Sequence, residues 1–228
     1  MSFLSHRFFS LVLPLAFSGA MVACNPAGAA HTGPLPDPVI DVQKTALPQK
    51  AVFAGGCFWG VQAVFEHVKG VTSVEAGYAG GEHSTAEYEV VSSGTSGHAE
   101  SVSVTYDSSQ ITYGQLLRVF FSVAHDPTEL NRQGPDVGTQ YRSAIFYAND
   151  EQKRAAEAYI SELNKDKVFT SPIVTQVSAL KQFYPAEAYH QDYALHNPDN
   201  PYIYLNDRPK VIALKKEFPT LYTPYKGS

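Results

Sequence analysis

The chain of 228 residues contains only two cysteines, one tryptophan and no excess of positive charge. Cys24 and Cys57 cannot build a scaffold of several disulfides or a four-cysteine zinc site. A formal net charge of -5 argues against nucleic acid as a partner, because such proteins need a basic surface. Hydrophobic residues make up 44% of the chain, which is enough for a folded core and excludes general disorder. Sulfur chemistry in this protein therefore rests on one or two atoms.

Residues 1–30 are typical of an export signal. A basic start precedes the apolar stretch 8–23, whose length suits a signal peptide and is short for a membrane span. Two processing sites fit the pattern. Residues 21–24 (Met-Val-Ala-Cys) resemble the lipobox of bacterial lipoproteins, in which the cysteine becomes the lipidated first residue, whereas cleavage at 27–29 would discard Cys24. We expect an exported, periplasmic protein, and the lipobox favours a membrane-anchored lipoprotein.

Residues 31–49 contain four prolines in a mostly polar run, which predicts a linker. In residues 50–228 strand-like and helix-like patterns alternate without an internal repeat, which predicts one mixed α and β domain. Beyond Tyr184 we expect a mostly irregular segment. The predicted strands cover 51–54, 101–106, 141–148 and 173–180, and the predicted helices cover 58–68, 112–121, 149–163 and 186–195.

Cys57 lies at the predicted turn between the first strand and the first helix. Backbone N–H groups at a helix start favour an anion, so this position is expected to stabilise a thiolate. Gly55 and Gly56 permit a tight turn, and Phe58 and Trp59 supply apolar surface beside the sulfur. A lone cysteine is more often a buried packing residue. The surrounding residues nevertheless favour a nucleophile in an apolar pocket.

Glu100 precedes a strand whose side chains alternate in polarity. Counting by twos places it on the same face as the apolar Val102 and Val104. A carboxyl in apolar surroundings has a raised pKa and is a candidate proton donor near neutral pH. A solvated position at the frayed start of the strand fits the pattern equally well, so the strand alone leaves both interpretations open.

Two other functions are compatible with these residues. A cysteine acyl-transfer enzyme would pair Cys57 with a histidine base, and nothing in the sequence selects one of His98, His125, His190 and His196. A non-catalytic, anchored binding protein would use Cys57 only for packing. The scattered histidines lack the spacing of metal ligands, so no metal site is predicted.

Four segments together resemble the signatures of the A-type peptide methionine sulfoxide reductases. They are residues 56–60 (Gly-Cys-Phe-Trp-Gly), 77–81, 97–100 and 132–143, with Pro135 where asparagine is commoner. The resemblance extends from about residue 51 to about residue 219. It implies an α/β (α+β) fold, a two-layer sandwich with a mixed, ferredoxin-like sheet. It also implies reduction of the S epimer of methionine sulfoxide, free or protein-bound, without a cofactor.

The resemblance further implies roles for individual residues. Cys57 would attack the sulfoxide sulfur while Glu100 protonates the oxygen, which leaves a sulfenic acid on the cysteine. The resemblance implies that the phenols of Tyr88 and Tyr141 hold the sulfoxide oxygen. It implies that Asp136 is a second buried carboxyl, and that Phe58 and Trp59 line the pocket for the S-methyl group.

The best-known members of this family carry one or two resolving cysteines near the C-terminus, whereas residues 184–228 contain none. Lipidation would block the thiol of Cys24, and ordinary cleavage would remove it. We therefore expect an external reductant for Cys57, either a small-molecule thiol or a thioredoxin-like or glutaredoxin-like partner. The expected protein is a monomer that repairs oxidised exported proteins.

Overall fold

The computed structural model describes residues 35–225 and residue 227. The predicted signal segment, Cys24 and the first part of the linker lie outside the described residues. Within them the strands are β1 (Gln49–Gly55), β2 (Val71–Ala79), β3 (Ala99–Tyr106), β4 (Arg132–Gln133), β5 (Asp136–Val137), β6 (Ser143–Tyr147), β7 (Gln176–Ala179) and β8 (Phe183–Pro185). The helices are α1 (Phe58–Glu66), α2 (Tyr88–Val91), α3 (Tyr113–Val119), α4 (Asp150–Lys165), α5 (Tyr193–His196) and α6 (Arg208–Glu217). Among the described helices, none is long and apolar enough to cross a membrane.

Six of these strands form one mixed sheet in the order β7-β6-β1-β3-β2-β8. The β6–β7 pair is parallel and the other pairs are antiparallel. Its centre follows the chain order β1, α1, β2, β3, α3, β6 with strand order β6-β1-β3-β2, which is the ferredoxin-like arrangement. The structure thus confirms the predicted fold class.

The helices cover one face of the sheet and enclose the main core. Phe53 of β1 stacks on Phe65 of α1 and on Phe120, with ring centroids 5.2 and 4.9 Å apart. The alternate side chains of β1, such as Val52, belong to a smaller cluster on the opposite face with Phe146 of β6. Because side chains on both faces of β1 are buried, its sequence is a continuous apolar run and does not alternate in polarity.

The turn between β1 and α1 depends on two glycines. Gly56 adopts a φ of +92°, and a Cβ atom there would lie 2.5 Å from Cγ of Gln133. A Cβ on Gly55 would lie 3.0 Å from the rings of His125 and Phe120. Because larger residues would collide with these neighbours, the glycines let α1 begin close to the central strand. The predicted strand-to-helix turn is confirmed.

Two of the predicted helices begin at side-chain caps. Thr112 accepts a hydrogen bond from the backbone N–H of Gln115, whose side chain accepts one from the backbone N–H of Thr112. This reciprocal capping box starts α3. Asn149 caps α4 by accepting a hydrogen bond from the N–H of Gln152 at 2.9 Å. In both helices a local sequence signal decides where the helix begins.

Several elements differ from the sequence-based expectation; the short elements α2, β4, β5 and β8 correspond to no predicted helix or strand. Strand β2 is absent from the predicted strands. Its residues 73–78 alternate in continuous register, and a bulge shifts the register only between Val71 and Ser73. The expected short helix over 186–195 consists of separate turns. Helix α6 lies in the segment expected to be mostly irregular. Leu214 is its one buried residue, and Val211 and Ala213 are partly buried against the main core. Pro209 near its start is the signal that could have revealed it.

Residues 35–48 of the proline-rich linker contain no helix and pack against the domain. Leu35 is completely buried in the main core. Asp37 pairs with Arg118 of α3 at 2.6 Å. The N–H of Gly114 donates a hydrogen bond to Asp41 at 2.7 Å. This part of the linker therefore lies along the helical layer.

His125 is a buried, neutral residue that supports the end of β1. Its ring stacks on Phe120 with centroids 4.0 Å apart, and its nitrogens bond to the carbonyl of Phe120 and the hydroxyl of Ser143. Burial lowers the pKa of His125 to about 4, although the Phe120 carbonyl and Asp126 act in the opposite direction. Protonation of this side chain is therefore disfavoured in the folded state.

We expect His125 to make the fold sensitive to mild acid. The unfolded chain binds the proton near pH 6.5 and the folded chain near pH 4. The stability due to neutral His125 is complete above pH 6.5 and is lost as the pH falls towards 4. Urea denaturation should show that the free-energy difference between wild type and His125→Gln is about 2 kcal/mol smaller at pH 5 than at pH 7.5. A pH-independent difference would contradict this role.

Candidate active site

Cys57 occupies the N-cap position of α1 and is a free thiol with 8% of its surface exposed. The next residue, Phe58, is completely enclosed, whereas Trp59 is partly exposed. The sulfur therefore lies just below the surface, at the end of a central strand and the start of a buried helix. This position is reachable by a small substrate and largely shielded from water.

Glu100 is held beside the cysteine by a backbone contact. It lies on β3 opposite Tyr78 of β2 and is only 3% exposed. The N–H of Phe58 donates a hydrogen bond to its Oε2 at 3.0 Å. The interpretation of Glu100 as a solvated residue at a frayed strand end is therefore wrong. The sheet brings this carboxyl to the first residue of α1.

The environment of Glu100 favours its protonated form. Burial raises its pKa to about 8, and the charges of Asp136 and Asp207 act in the same direction. Hydrogen bonds from the N–H of Phe58 and from Cys57 oppose the shift but do not cancel it. At neutral pH the carboxyl carries a proton that it can donate.

The expectation that the helix start stabilises a Cys57 thiolate is wrong. Burial, followed by the charges of Glu100 and Asp207, raises the pKa of the Cys57 thiol well above its ordinary value. The N–H of Trp59 and the charge of Lys210 lower it less strongly. The desolvation of a buried sulfur thus exceeds the benefit of the helix terminus.

The two predicted phenols lie near the cysteine and the carboxyl. Burial, followed by the charges of Glu100 and Cys57, raises the pKa of Tyr88. Burial, followed by Glu100, Asp136 and Cys57, raises the pKa of Tyr141. Both phenols remain protonated and available as hydrogen-bond donors. The structure therefore brings together four of the predicted site residues.

Asp136 differs from the expectation of a buried carboxyl. It lies on the short strand β5 of a surface hairpin and is partly exposed. Its carboxylate accepts a short hydrogen bond from the hydroxyl of Tyr202. A side chain on a two-residue strand at the surface cannot be enclosed as Glu100 is on a central strand. Asp136 nevertheless contributes to the electrostatic environment of Glu100.

An aromatic wall lies beside the cysteine. Trp59 stacks on Tyr193 with ring centroids 3.8 Å apart, and its Nε1–H donates a hydrogen bond to Nδ1 of His190 at 3.2 Å. Phe58 contacts the ring of His190, and the ring of Tyr88 lies 4.5 Å from it. Phe58 and Trp59 thus form the apolar surface that the sequence predicted.

The C-terminal segment supplies residues to which the sequence reasoning assigned no part in this site, apart from naming His190 as one of four candidate bases. His190 and Tyr193 pack against Trp59 in the aromatic wall, and the hydroxyl of Tyr202 donates a hydrogen bond to Asp136. Glu187 binds Tyr78 and Tyr88. Glu187 accepts hydrogen bonds from the hydroxyl of Tyr78 and from the N–H of Tyr88, both at 2.9 Å. The density of tyrosine after residue 184 was the available signal, but it did not indicate which rings face the site.

The histidines do not support an acyl-transfer mechanism. His98 bonds to backbone groups of Gly81 and Glu82, and the ring nitrogens of His125 bond to Phe120 and Ser143. His190 bonds to Trp59 and His196 is exposed. In residues 35–225, no group of three or more potential ligands is suited to a metal ion.

Comparison with known sequences matches this domain to one family. The profile described as peptide methionine sulfoxide reductase matches residues 49–221. The peptide methionine sulfoxide reductase MsrA 2 of Mesorhizobium japonicum is 60% identical over 175 residues, which cover 77% of this chain and 90% of the relative. A protein of the same name from Synechocystis is 50% identical over 188 residues, covering 81% and 88%.

Solved structures are similar as well. Reduced Mxr1 from Saccharomyces cerevisiae has a TM-score of 0.62 and 33% identity, and the match covers 70% of this chain and 91% of Mxr1. Methionine sulfoxide reductase A of Corynebacterium diphtheriae has a TM-score of 0.57 and 30% identity, covering 74% and 88%. The chain therefore belongs to the peptide methionine sulfoxide reductase family and is an enzyme of its A type.

Proposed function

We propose that this enzyme reduces the S epimer of methionine sulfoxide, free and in proteins, with Cys57 as the nucleophile and Glu100 as the proton donor. The observation that carries the assignment is the buried Glu100, bonded to the N–H of Phe58 directly beside Cys57. A protonated acid and a sulfur are thereby held next to one another in a site of low polarity.

In the proposed reaction, Tyr88, Tyr141 and Glu100 hold the sulfoxide oxygen, and the methyl group lies against Phe58 and Trp59. The sulfoxide sulfur becomes a good electrophile only when its oxygen accepts a proton, which Glu100 supplies. The sulfur of Cys57 attacks as its own proton leaves and restores the acid. This attack joins the two sulfur atoms. Glu100 then protonates the oxygen a second time, and the S–O bond breaks as the oxygen leaves as water. Water attacks the Cys57 sulfur, the S–S bond breaks with its electron pair going to the departing methionine, the released proton returns to Glu100, and Cys57 is left as a sulfenic acid. The substrate is reduced by two electrons and the cysteine is oxidised by two.

Discrimination between sulfoxide epimers follows from an asymmetric site. Three substituents surround the sulfoxide sulfur, and the proposed site offers a distinct place for the oxygen and for the methyl group. With these two positions set, attack by Cys57 from one side selects one handedness. The preference for the S epimer rests on the relationship to A-type enzymes.

Regeneration requires a thiol from outside the domain. Cys57 is the one cysteine among residues 35–225. A first external thiol would form a mixed disulfide with Cys57 and release water, and a second thiol would release Cys57. We propose a small-molecule thiol or a thioredoxin-like or glutaredoxin-like protein as this reductant, acting on a monomeric enzyme.

We also propose that the enzyme is exported and repairs oxidised exported proteins. The basic start and apolar stretch of residues 1–30 support export, and the lipobox-like residues 21–24 support a lipid anchor on Cys24. The proline-rich linker would then join the anchor to the domain.

Substitution of the acid and the nucleophile tests the mechanism. We expect Cys57→Ser to abolish turnover of the S sulfoxide and Glu100→Gln to lower kcat/KM about 100-fold to 10,000-fold. Since the proton on Glu100 is lost above about pH 8, wild-type kcat/KM should fall about tenfold per pH unit there. The residual activity of Glu100→Gln should lack this decline.

Glu75→Gln is the matched control, because Glu75 is exposed on the neighbouring strand β2 and should leave the rate unchanged. Equal turnover of both epimers would contradict the proposed specificity. Retention of the alkaline decline in Glu100→Gln would show that another group donates the proton.

The fate of the cysteine is tested by a single turnover. Purified enzyme mixed with excess S sulfoxide and no reductant should form one methionine per chain and a sulfenic acid on Cys57. Trapping with dimedone followed by mass spectrometry should locate the adduct on the peptide that contains Cys57. An intramolecular disulfide at Cys57 would overturn the requirement for an external thiol.

The proposed export is tested by the mass of the mature protein from its native host. We expect a chain that begins at a lipidated Cys24. A chain that begins after residue 29 without lipid would support export and contradict the anchor. An unprocessed chain that retains Met1 would contradict both.

A further inference from the structure

A buried ion pair lies against the first turn of α1 at Gly60. Asp207 ends the π-helical turn Ile203–Asp207 and has no exposed surface. Lys210, in the first turn of α6, places its Nζ 3.2 Å from Oδ1 of Asp207 and is 17% exposed. π-helical turns are uncommon and frequently accompany functional sites. The carboxylate and the ammonium thus face the interior near the active site.

The ion pair of Asp207 and Lys210 contacts α1 directly at Gly60. A Cβ atom on Gly60 would lie 2.0 Å from Oδ1 of Asp207 and 2.8 Å from Nζ of Lys210. Only a glycine admits this approach. Gly60 follows Cys57 by three residues, so both lie on the same side of the first helical turn. The charges are therefore separated from the sulfur by one turn of backbone.

Charges in this position act with little screening by solvent. Asp207 is enclosed, and its Oδ2 has no hydrogen-bond partner among the described residues. A buried carboxyl that serves only to pack is normally satisfied on both oxygens, since an unpaired one is costly. The negative charge of Asp207 raises the pKa of the Cys57 thiol, and the positive charge of Lys210 lowers it.

We propose that Asp207 and Lys210 are positioning residues of the reductase, whose opposite charges act on the Cys57 sulfur through the first turn of α1. This inference rests on the proposed role of Cys57 as the nucleophile. Lys210 favours the anionic sulfur that attacks the substrate. Asp207 holds Lys210 in place and keeps the thiol from ionising between turnovers, which protects it from unspecific oxidation.

Other ionisable groups also face the sulfur. They are the carboxyl of Glu100 on β3 and the phenols of Tyr88, Tyr141 and Tyr202. All of them are retained in the variants described below. Any change in the behaviour of Cys57 in these variants therefore arises from the ion pair.

The test compares Asp207→Asn, Lys210→Met and the double variant in the full chain. Each is labelled with iodoacetamide between pH 6 and 10.5, and the Cys57 peptide is quantified by mass spectrometry. Asp207→Asn should move the profile at least half a pH unit lower, so that labelling at pH 8 is at least about threefold faster. Lys210→Met should move it higher and slow labelling by a similar factor. The double variant should lie between them.

The opposite shifts expected for Asp207→Asn and Lys210→Met distinguish an electrostatic role of the ion pair from a structural one. Altered access to the sulfur changes the labelling plateau at high pH, whereas altered ionisation moves the profile along the pH axis. Two shifts in the same direction, or none, would overturn the proposal. If Asp207→Asn does not fold, Lys210→Met alone must still slow labelling, and Lys210→Arg must restore it.

Lys216→Met is the matched control, since Lys216 is an exposed cation of the same helix and its loss should leave the profile unchanged. Labelling does not depend on catalysis, so its outcome stands apart from the proposed mechanism. Reductase activity in Cys57→Ser would overturn the mechanism, and it would leave the measured effect of the ion pair unaffected.

Discussion

The hydrogen bond from the N–H of Phe58 to Glu100 joins the two parts of the protein that must meet for the proposed chemistry. Glu100 belongs to the central strand β3, and Phe58 is the first residue of α1. A free N–H at a helix start needs an acceptor, and a buried carboxyl needs a donor. Each group satisfies the other, and Cys57 is thereby held at a defined place beside the acid.

Burial then determines the protonation of the whole site. Glu100, the Cys57 thiol and the phenols of Tyr88 and Tyr141 all favour their neutral forms, because water is largely excluded. The ionisable groups of such a site are protonated and uncharged, which suits a reaction that begins with proton donation to a sulfoxide oxygen. The aromatic wall formed around Trp59 maintains the low polarity. The ion pair of Asp207 and Lys210 supplies the fixed charges in its vicinity.

Much of this architecture could be predicted from local patterns. The two glycines before Cys57, the caps at Thr112 and Asn149 and the alternation along β3 all depend on near neighbours in the chain. Strand β2 and helix α6 escaped prediction, because the first half of β2 is largely exposed and Leu214 is the one buried residue of α6. The alternation of β3 could not decide whether Glu100 is buried, because its burial depends on the neighbouring strand β2 and on α1.

The amino-acid sequence was enough to predict the fold class, the turn that presents Cys57, the aromatic character of its surroundings and the membership of the family. These features arise from residues that lie close together along the chain. The enclosure of Glu100, the partial exposure of Asp136 and the contact of Asp207 and Lys210 with α1 depend instead on the packing of distant segments. Burial and electrostatic interactions depend on distances between segments up to about 150 residues apart in the sequence, and folding alone sets those distances.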